Sequence, residues 1–343
     1  MPALAVADAL RASGATVSFL GTRDRVEAKL VPGAGYELDF LGVRGLDRGN
    51  PLKALGAAAR AAAAVHTARR LLRRRGADVV MGGGGYVAGP AGLAARSAGI
   101  PLVLTEADSH LGLANRLLAR TARRVCLAFP IPGLEGERYL VTGRPVPAAV
   151  LEADRSAARR RFGIAADDRC LLVFGGSLGA RSINEAALDA FSGGDGRGFH
   201  ILHIAGSRDY PEARRRVDAA AEHRYTLLEY ESTLGDALAA SDLVLARAGG
   251  SVFELAAAAR PAILVPYPHA TARHQRTNAA WMADAGAAVV IDDSELTGER
   301  VRAAASALLD DPERLGAMGA AARSLARPDA ARRIADEILA ARG

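Results

Sequence analysis

Short apolar runs alternate with longer amphipathic segments along the whole chain. In its first part these runs predict strands at 16–20, 36–41, 79–81, 102–105 and 125–129. After Ser156 they predict strands at 171–174, 201–205, 226–229, 243–246, 262–265 and 288–291. Each strand is followed by a helix or a turn, so the sheets are expected to be parallel and covered by helices on both faces. The pattern predicts an α/β protein with two doubly wound, Rossmann-like halves that face a cleft.

The length and the restart of this pattern predict two domains. A chain of 343 residues is too long for one ordinary core. We expect a first domain at 1–148 and a second at 149–328, with a hinge near 141–151. A closing helix within 329–343 could pack back on the first domain. A long helix is also predicted at 56–75, with its apolar positions on one face.

Composition narrows the classes of function. The 44 basic residues include only two lysines, Lys29 and Lys53, and the charge is spread along the chain without a nucleic-acid signature, so no nucleic-acid partner is expected. Cys126 and Cys170 show neither a disulfide framework nor metal-ligand spacing, which suits a reducing cytosol. No signal peptide and no apolar run of about 18 residues is evident. No cofactor or metal is expected.

A glycine-rich turn follows the predicted strand 171–174 and runs into a helix. It contains Gly176, Ser177 and Gly179. Glycines let the backbone approach a ligand closely, and the free amides at a helix start attract an anion such as a phosphate. The alternative is a tight turn that only links the strand to the helix.

A second such turn follows strand 243–246. It runs from Arg247 through Gly250 and Ser251 into a helix with Glu254 in its first turn. A carboxylate there could accept both hydroxyls of a ribose. The alternative is that Glu254 only complements the helix dipole.

Polar residues also follow strand 262–265. His269, His274, Gln275 and Asn278 lie at the edge of the sheet where such folds bind ligands, and their side chains suit sugar hydroxyls. The two histidines are not spaced like a zinc pair. The acidic pairs 167–168 and 292–293 are interpreted as solvated surface turns and not as metal sites.

Two loops of the first half are candidates for the facing wall. One is the glycine-rich turn 82–85, which precedes Tyr86. The other follows strand 102–105 and contains Glu106, Asp108 and His110. Either could be an ordinary loop, with His110 as a solvated turn residue.

Taken together, these segments resemble the MurG family of N-acetylglucosaminyltransferases. The matching stretches cover nearly the whole chain, and they occur in the family order at 82–90, 175–180, 247–254 with 261–266, and 274–279. The resemblance implies a GT-B fold and inverting transfer of N-acetylglucosamine from UDP-N-acetylglucosamine to a polyprenyl-diphosphate-linked muramyl peptide in peptidoglycan synthesis. The second half is expected to hold the sugar nucleotide and the first half the lipid acceptor.

The resemblance also assigns residues. Ser177 would contact the diphosphate, Glu254 the ribose and Gln275 the sugar hydroxyls. Contacts near Glu231 would border the uracil. The remaining expected substrate-binding positions are Gly176, Gly179, Arg247, Gly250, Ser251, Val252, His274, Asp108 and Arg144.

Some features depart from the family pattern. A His-Glu-Gln-Asn run is replaced by Thr105-Glu106-Ala107-Asp108, and segment 247–254 is one residue shorter than usual. Pro147 stands where arginine is common, with Arg144 nearby. The family's opening strand and Gly-Gly-x-x-Gly-His turn have no counterpart here, so we expect a missing first strand and no equivalent of the base histidine. Glu106 and His110 are the weak substitutes.

Other functions remain open at this stage. A UDP-N-acetylglucosamine 2-epimerase would share the architecture, and a non-catalytic sugar-nucleotide-binding protein would need no base. We expect a cytoplasmic protein, peripheral on the inner face of the cell membrane. Attachment is predicted through 43–75, which combines Leu46, Leu52 and Leu55 with clustered arginines. A solvated basic helix face is the alternative.

Overall fold

The computed structural model describes residues 2–42, 51–176, 179–193, 198–217, 224–270 and 274–342. The chain divides into two compact units. Unit 1 comprises Met1–Pro145 with Asp329–Gly343, and unit 2 comprises Val146–Pro328. Ser177 and Leu46, both singled out above, lie outside the described residues, and so do the side chains of Leu52 and Leu55.

The part of unit 1 that the structure describes contains two parallel sheets. One pairs β1 (Ser18–Gly21) with β2 (Glu37–Phe40). The other has β3 (Val80–Gly82), β4 (Leu102–Glu106), β5 (Arg124–Leu127) and β6 (Tyr139–Val141) in sequence order. The helices between them are α1 (Pro2–Ala12), α2 (Glu27–Gly33), α3 (Pro51–Arg75), α4 (Gly85–Ser97) and α5 (Leu113–Leu118).

The described residues of unit 2 form one parallel sheet of six strands. These are β7 (Arg169–Phe174), β8 (Phe199–Ile204), β9 (Tyr225–Leu228), β10 (Leu243–Ala246), β11 (Ala262–Leu264) and β12 (Ala288–Val290). Its helices are α6 (Ala148–Leu151), α7 (Arg155–Phe162), α8 (Arg181–Phe191), α9 (Tyr210–Arg216), α10 (Leu234–Ala240), α11 (Val252–Ala257), α12 (His274–Asp284), α13 (Gly298–Leu309) and α14 (Pro312–Leu325).

The strand order in unit 2 is β12-β11-β10-β7-β8-β9. The chain therefore leaves β7 toward one edge of the sheet and later returns to its other side at β10. A crevice forms at the carboxyl ends of the strands where the order reverses in this way, and ligands bind there in open α/β sheets. The interior of the sheet is aliphatic, with Leu171, Leu202 and Leu245 fully buried.

A last helix, α15 (Ala330–Ala340), follows Pro328 and belongs to unit 1. Its apolar face places Ile334 and Ile338 in a core cluster with Val6 and Leu10 of α1. An ion pair of 2.8 Å between Arg124 and Glu337 also ties α15 to β5.

The two-half α/β prediction is confirmed, with differences in detail. The helix predicted at 56–75 begins at Pro51, because proline at the first position of a helix loses no hydrogen bond. Strand β6 was not predicted, since it has only three residues and its side chains are at most partly buried. Within the described residues, no helix is long and apolar enough to cross a membrane.

Candidate functional site

The turn after β7 lies at the point where the strand order of unit 2 reverses. Gly176 and Gly179 adopt φ values of +100° and +81°, a region that favours glycine. The amide of Gly179 donates to the carbonyl of Gly176 at 2.9 Å, which closes the turn. Helix α8 begins two residues later, at Arg181. The start of α8 therefore faces the crevice with its unpaired amides.

Gly179 lies against a polar cluster of its own unit. A Cβ at this position would lie 2.2 Å from the carbonyl oxygen of Ala205 and 3.2 Å from both Asn184 Nδ2 and Asp209 Oδ2. No larger side chain fits without a shift of the backbone. Glycine is thus required here both for the φ angle and for the close approach.

The cluster behind Gly179 is a buried chain of hydrogen bonds. Asn184 donates from Nδ2 to Ala205 O at 2.8 Å and to Asp209 Oδ2 at 3.0 Å. Its Oδ1 lies 3.0 Å from Nε2 of His203, whose Nδ1 lies 2.8 Å from the hydroxyl of Tyr225. Burial lowers the pKa of His203 to about 4. We call Asn184, His203, Asp209 and Tyr225 the buried relay; sequence reasoning missed it.

The turn after β10 is held by the side chain of its first residue. Arg247 donates from Nη1 to Asp293 Oδ1 at 2.5 Å and to Val265 O at 3.2 Å, and from Nη2 to Ser182 Oγ at 2.7 Å. Only 12% of the Arg247 side chain is exposed. The expectation that Asp293 belongs to a solvated surface turn is therefore wrong, because its carboxylate is paired with a nearly buried guanidinium.

Two amide side chains of α12 support the neighbouring backbone. Asn278 donates from Nδ2 to Ala248 O at 3.0 Å and more weakly to Gly249 O at 3.4 Å. The Oε1 of Gln275 accepts from the backbone amide of Tyr267 at 2.9 Å. Its Nε2 would lie 3.9 Å from a Cβ added at Gly249, so Gln275 lies between the β10 turn and the segment after β11.

The remaining predicted positions of unit 2 lie around the same edge. Gly250 and Ser251 close the β10 turn, Val252 begins α11, and the partly buried Glu254 lies in the first turn of that helix. His274 is the first residue of α12. No group of histidine, cysteine or acidic side chains among the described residues could hold a metal ion.

Glu231 lies near the edge strand β9. Its carboxylate accepts from Arg161 Nη2 at 2.7 Å and from the backbone amide of Thr233 at 2.7 Å. Arg161 binds Asp236 as well, at 2.6 Å. The Glu231 side chain is thus directed to its own unit, which leaves the backbone of this loop for the predicted contact with a base.

In unit 1, Glu106 organises the loop after β4. Its Oε1 accepts from the amide of Asp108 at 3.2 Å. Its Oε2 accepts from the amide of Gly112 at 2.8 Å and from Nδ2 of Asn115 at 2.9 Å. Both carboxylate oxygens are occupied, so Glu106 is poorly suited to take up a proton from a substrate.

A small pocket lies at the carboxyl ends of β3, β4 and β5. Its lining includes Met81, Glu106, Cys126, Arg144 and Ile334, all from unit 1. Burial raises the pKa of the Cys126 thiol to about 12, so it stays protonated near neutral pH. Neither Asp108 nor His110 lines this pocket; both are partly exposed in the loop that Glu106 organises.

Comparison with known proteins identifies the family. Residues 1–127 match the glycosyltransferase family 28 N-terminal domain, and residues 170–334 match the family 28 C-terminal domain. A "UDP-N-acetylglucosamine--N-acetylmuramyl-(pentapeptide) pyrophosphoryl-undecaprenol N-acetylglucosamine transferase" of Moorella thermoacetica is 41% identical over 98% of this chain and 94% of its own. The enzyme of the same description from Aeromonas hydrophila is 43% identical, over 98% and 92%.

Solved structures agree with this result. MurG of Acinetobacter baumannii superposes with a TM-score of 0.81 at 31% identity, covering 99% of this chain and 95% of that one. A UDP-GlcNAc 2-epimerase of Neisseria meningitidis, bound to UDP-GlcNAc, gives a TM-score of 0.66 at only 14% identity, covering 99% and 98%, and so shares the fold alone. The chain is therefore a glycosyltransferase that belongs to family 28 and, within it, to the MurG enzymes.

Proposed function

We propose that the chain transfers N-acetylglucosamine from UDP-N-acetylglucosamine to N-acetylmuramyl-(pentapeptide) pyrophosphoryl-undecaprenol, with inversion at the sugar carbon. The identity of about 41% to transferases of that description, along nearly the full length of both chains, carries this proposal. The 2-epimerases with a similar fold share less than a fifth of the sequence, 14% in the Neisseria meningitidis enzyme. A transferase is thus favoured over an epimerase and over a non-catalytic binding protein.

The donor site is assigned to unit 2. The turn 175–180, with Gly176, Ser177 and Gly179, and the start of α8 would bind the diphosphate, because helix amides attract anions. Glu254 would accept the ribose hydroxyls. Further donor contacts are assigned to Gly250, Ser251, Val252, His274 and Gln275, and the uracil to the backbone near Glu231.

Departure of UDP places negative charge on the diphosphate. The amides of turn 175–180 and of the first turn of α8 would stabilise that charge as it develops, which is the larger part of the chemistry. The acceptor hydroxyl must also lose a proton. Glu106 already accepts three hydrogen bonds, so we favour His110 over Glu106 as the base. Asp108 and Arg144 are proposed to contact the acceptor.

We also propose that unit 1 attaches to the inner face of the cell membrane, where a lipid-linked acceptor is found. Leu113 and Leu117 are 47% and 70% exposed, and they lie on one face of α5. Arg116 of the same helix and Arg120 of the short turn that follows it are also exposed. An apolar surface flanked by basic side chains suits an anionic membrane. We call these four residues the α5 face.

The arginine run of α3 supports attachment less well. Arg74 is paired with Asp39 at 2.6 Å, and Arg75 is bound to both Asp39 and Glu37. These carboxylates offset much of the positive charge of the α3 arginines, which the sequence pattern had predicted to bind the membrane. The α5 face is therefore the better candidate.

Product analysis tests the reaction. The purified chain is incubated with radiolabelled UDP-N-acetylglucosamine, with and without a short-chain analogue of the lipid acceptor. Transfer predicts labelled disaccharide lipid and free UDP only when the acceptor is present. Labelled UDP-N-acetylmannosamine formed without acceptor would instead indicate an epimerase. Binding of UDP with no product in either reaction would indicate a non-catalytic protein.

A further inference from the structure

One guanidinium connects segments that follow the carboxyl ends of adjacent strands in unit 2. Arg247 follows β10 directly, and it binds the carbonyl oxygen of Val265, which follows β11. The same guanidinium binds Asp293, which lies after β12, and Ser182, which lies in the first turn of α8 after β7. In the sheet these strands are consecutive, in the order β12-β11-β10-β7. A single side chain thus spans the carboxyl edge on that side of the sheet.

The contacts close into a ring. The hydroxyl of Ser182 donates to Asp293 Oδ1 at 2.7 Å while it accepts from Arg247 Nη2 at 2.7 Å. Asp293 Oδ1 also accepts from Arg247 Nη1 at 2.5 Å. Arginine suits this role because its planar fork offers several donors in fixed directions. We call Ser182, Arg247 and Asp293 the edge ring.

The charge of Arg247 has two possible uses. A solvent-facing arginine at this edge would be a direct ligand for a diphosphate. Here the side chain is 12% exposed and its carboxylate partner is 23% exposed, so the pair is largely withdrawn from solvent. A bound diphosphate would have to share this guanidinium with Asp293, because three of its five N–H donors already bind Asp293, Val265 and Ser182.

We propose that Arg247 is a positioning residue, which holds the turns after β7 and β10 at a fixed separation so that both contact one nucleoside diphosphate. This inference rests on the proposed donor site in unit 2. It assigns Asp293 and Ser182 to the same task. Neither residue was predicted to take part in substrate binding from the sequence.

Titration calorimetry with UDP separates the two uses of Arg247, because they predict opposite effects of Asp293→Ala. If Arg247 positions the turns, removal of the carboxylate loosens the edge ring and raises the Kd for UDP by about tenfold or more. A direct ligand would instead be released from its competitor, and UDP would bind as tightly or more tightly. Asp292→Ala is the matched control, since Asp292 pairs at 3.1 Å with Arg276, whose side chain is 59% exposed; its Kd should not change.

A double-mutant cycle adds a second test. Arg247→Lys keeps the charge but loses the fork, and it should weaken UDP binding about as much as Asp293→Ala. Because both changes break the same ring, the Kd of the double variant for UDP should be within about threefold of the Kd of the single variant that binds UDP more weakly. Fully additive losses would overturn the proposal.

Ser182→Ala removes only one hydroxyl. It is the variant to use if Asp293→Ala or Arg247→Lys fails to fold. It should raise the KM for UDP-N-acetylglucosamine about threefold or more and leave the KM for the acceptor unchanged, whereas general loss of stability would lower only the active fraction. If the wild type binds UDP and all three variants bind it with the same affinity, the positioning role of Arg247 is wrong, but the proposed function stands. A wild type that does not bind UDP would overturn the proposed function as well.

Discussion

His203 Nε2 and Asn184 Oδ1 face each other at 3.0 Å in the interior of unit 2. Both Nδ2 hydrogens of Asn184 are donated elsewhere, to Ala205 O and Asp209 Oδ2, so its Oδ1 must be the acceptor. Nε2 of His203 therefore carries the proton. Its Nδ1 then accepts from the hydroxyl of Tyr225 at 2.8 Å. The buried relay requires one neutral tautomer of His203.

We predict that this requirement makes unit 2 sensitive to acid. The pKa of His203 is lowered from 6.5 to about 4 by burial. Between these values the unfolded chain binds a proton that the folded chain excludes, so the free energy of unfolding falls as the pH falls from 6.5 toward 4. The full effect is about 3 kcal/mol.

Urea denaturation of wild type and His203→Gln at several pH values between 7 and 4 measures this effect. The variant should be less stable at pH 7 but should lose less stability on acidification. His269→Gln, a change at an exposed histidine, should follow the wild type. A His203→Gln curve parallel to that of the wild type would contradict the prediction.

Sequence patterns located the edge of the sheet but not what holds it. The turns after β7 and β10 were predictable because apolar runs end in glycine, and parallel strands bring their carboxyl ends together. The edge ring was not, since Asp293 lies 111 residues from Ser182 and 46 from Arg247 along the chain. A local pattern contains no such information, and two adjacent acids in a turn ordinarily face solvent.

The buried relay did leave a signal in the sequence. His203 interrupts the otherwise apolar end of β8, and all six side chains of that strand are buried. A polar residue inside a fully buried strand needs a hydrogen-bond partner. That partner, Asn184, could not be named from the sequence, because it lies on a separate helix.

Glu254→Ala is predicted to weaken UDP binding through the loss of a hydrogen-bonded carboxylate, at a cost of about 1.5–3 kcal/mol. Calorimetry with UDP measures the change. Glu299 also lies in the first turn of a helix, α13, but outside the proposed donor site, so Glu299→Ala controls for an effect through the helix dipole. Equal UDP affinity in wild type and Glu254→Ala would leave only the dipole role.

Glu106→Gln is predicted to act through the loop after β4 and not through proton transfer. The carboxylate accepts three hydrogen bonds, and the amide can replace only some of them. We expect a higher KM for the acceptor and a kcat within about tenfold of wild type, whereas loss of a general base typically costs about 10²–10⁴-fold. Steady-state kinetics across pH measure both. A kcat loss in the larger range, with the acidic limb abolished, would restore Glu106 as the base.

Attachment to anionic vesicles is predicted to depend on the α5 face. Leu117→Ser removes the most exposed of its leucines, at 70%, and burying a leucine contributes about 1.5–3 kcal/mol. Co-sedimentation with vesicles should therefore fall about tenfold or more, while Tyr230→Ser, at a 62% exposed position of unit 2, should have no effect. Arg73→Glu with Arg74→Glu should reduce binding less. If the two arginine changes reduced vesicle binding more than Leu117→Ser does, α3 and not α5 would be the membrane contact.

The glycines of the β7 turn should differ sharply in their tolerance of alanine. Gly176 and Gly179 both have positive φ, at +100° and +81°, so each substitution is expected to cost about 1–2 kcal/mol in backbone strain. A Cβ at Gly176 meets nothing within 4 Å among the described residues, but one at Gly179 would lie 2.2 Å from Ala205 O. That carbonyl also accepts from Asn184, so Gly179→Ala must displace the buried relay as well as the turn. We therefore expect Gly179→Ala to lose about 2 kcal/mol more than Gly176→Ala in urea denaturation. Equal losses would mean that the turn can move away from Ala205, and that its position does not depend on the relay.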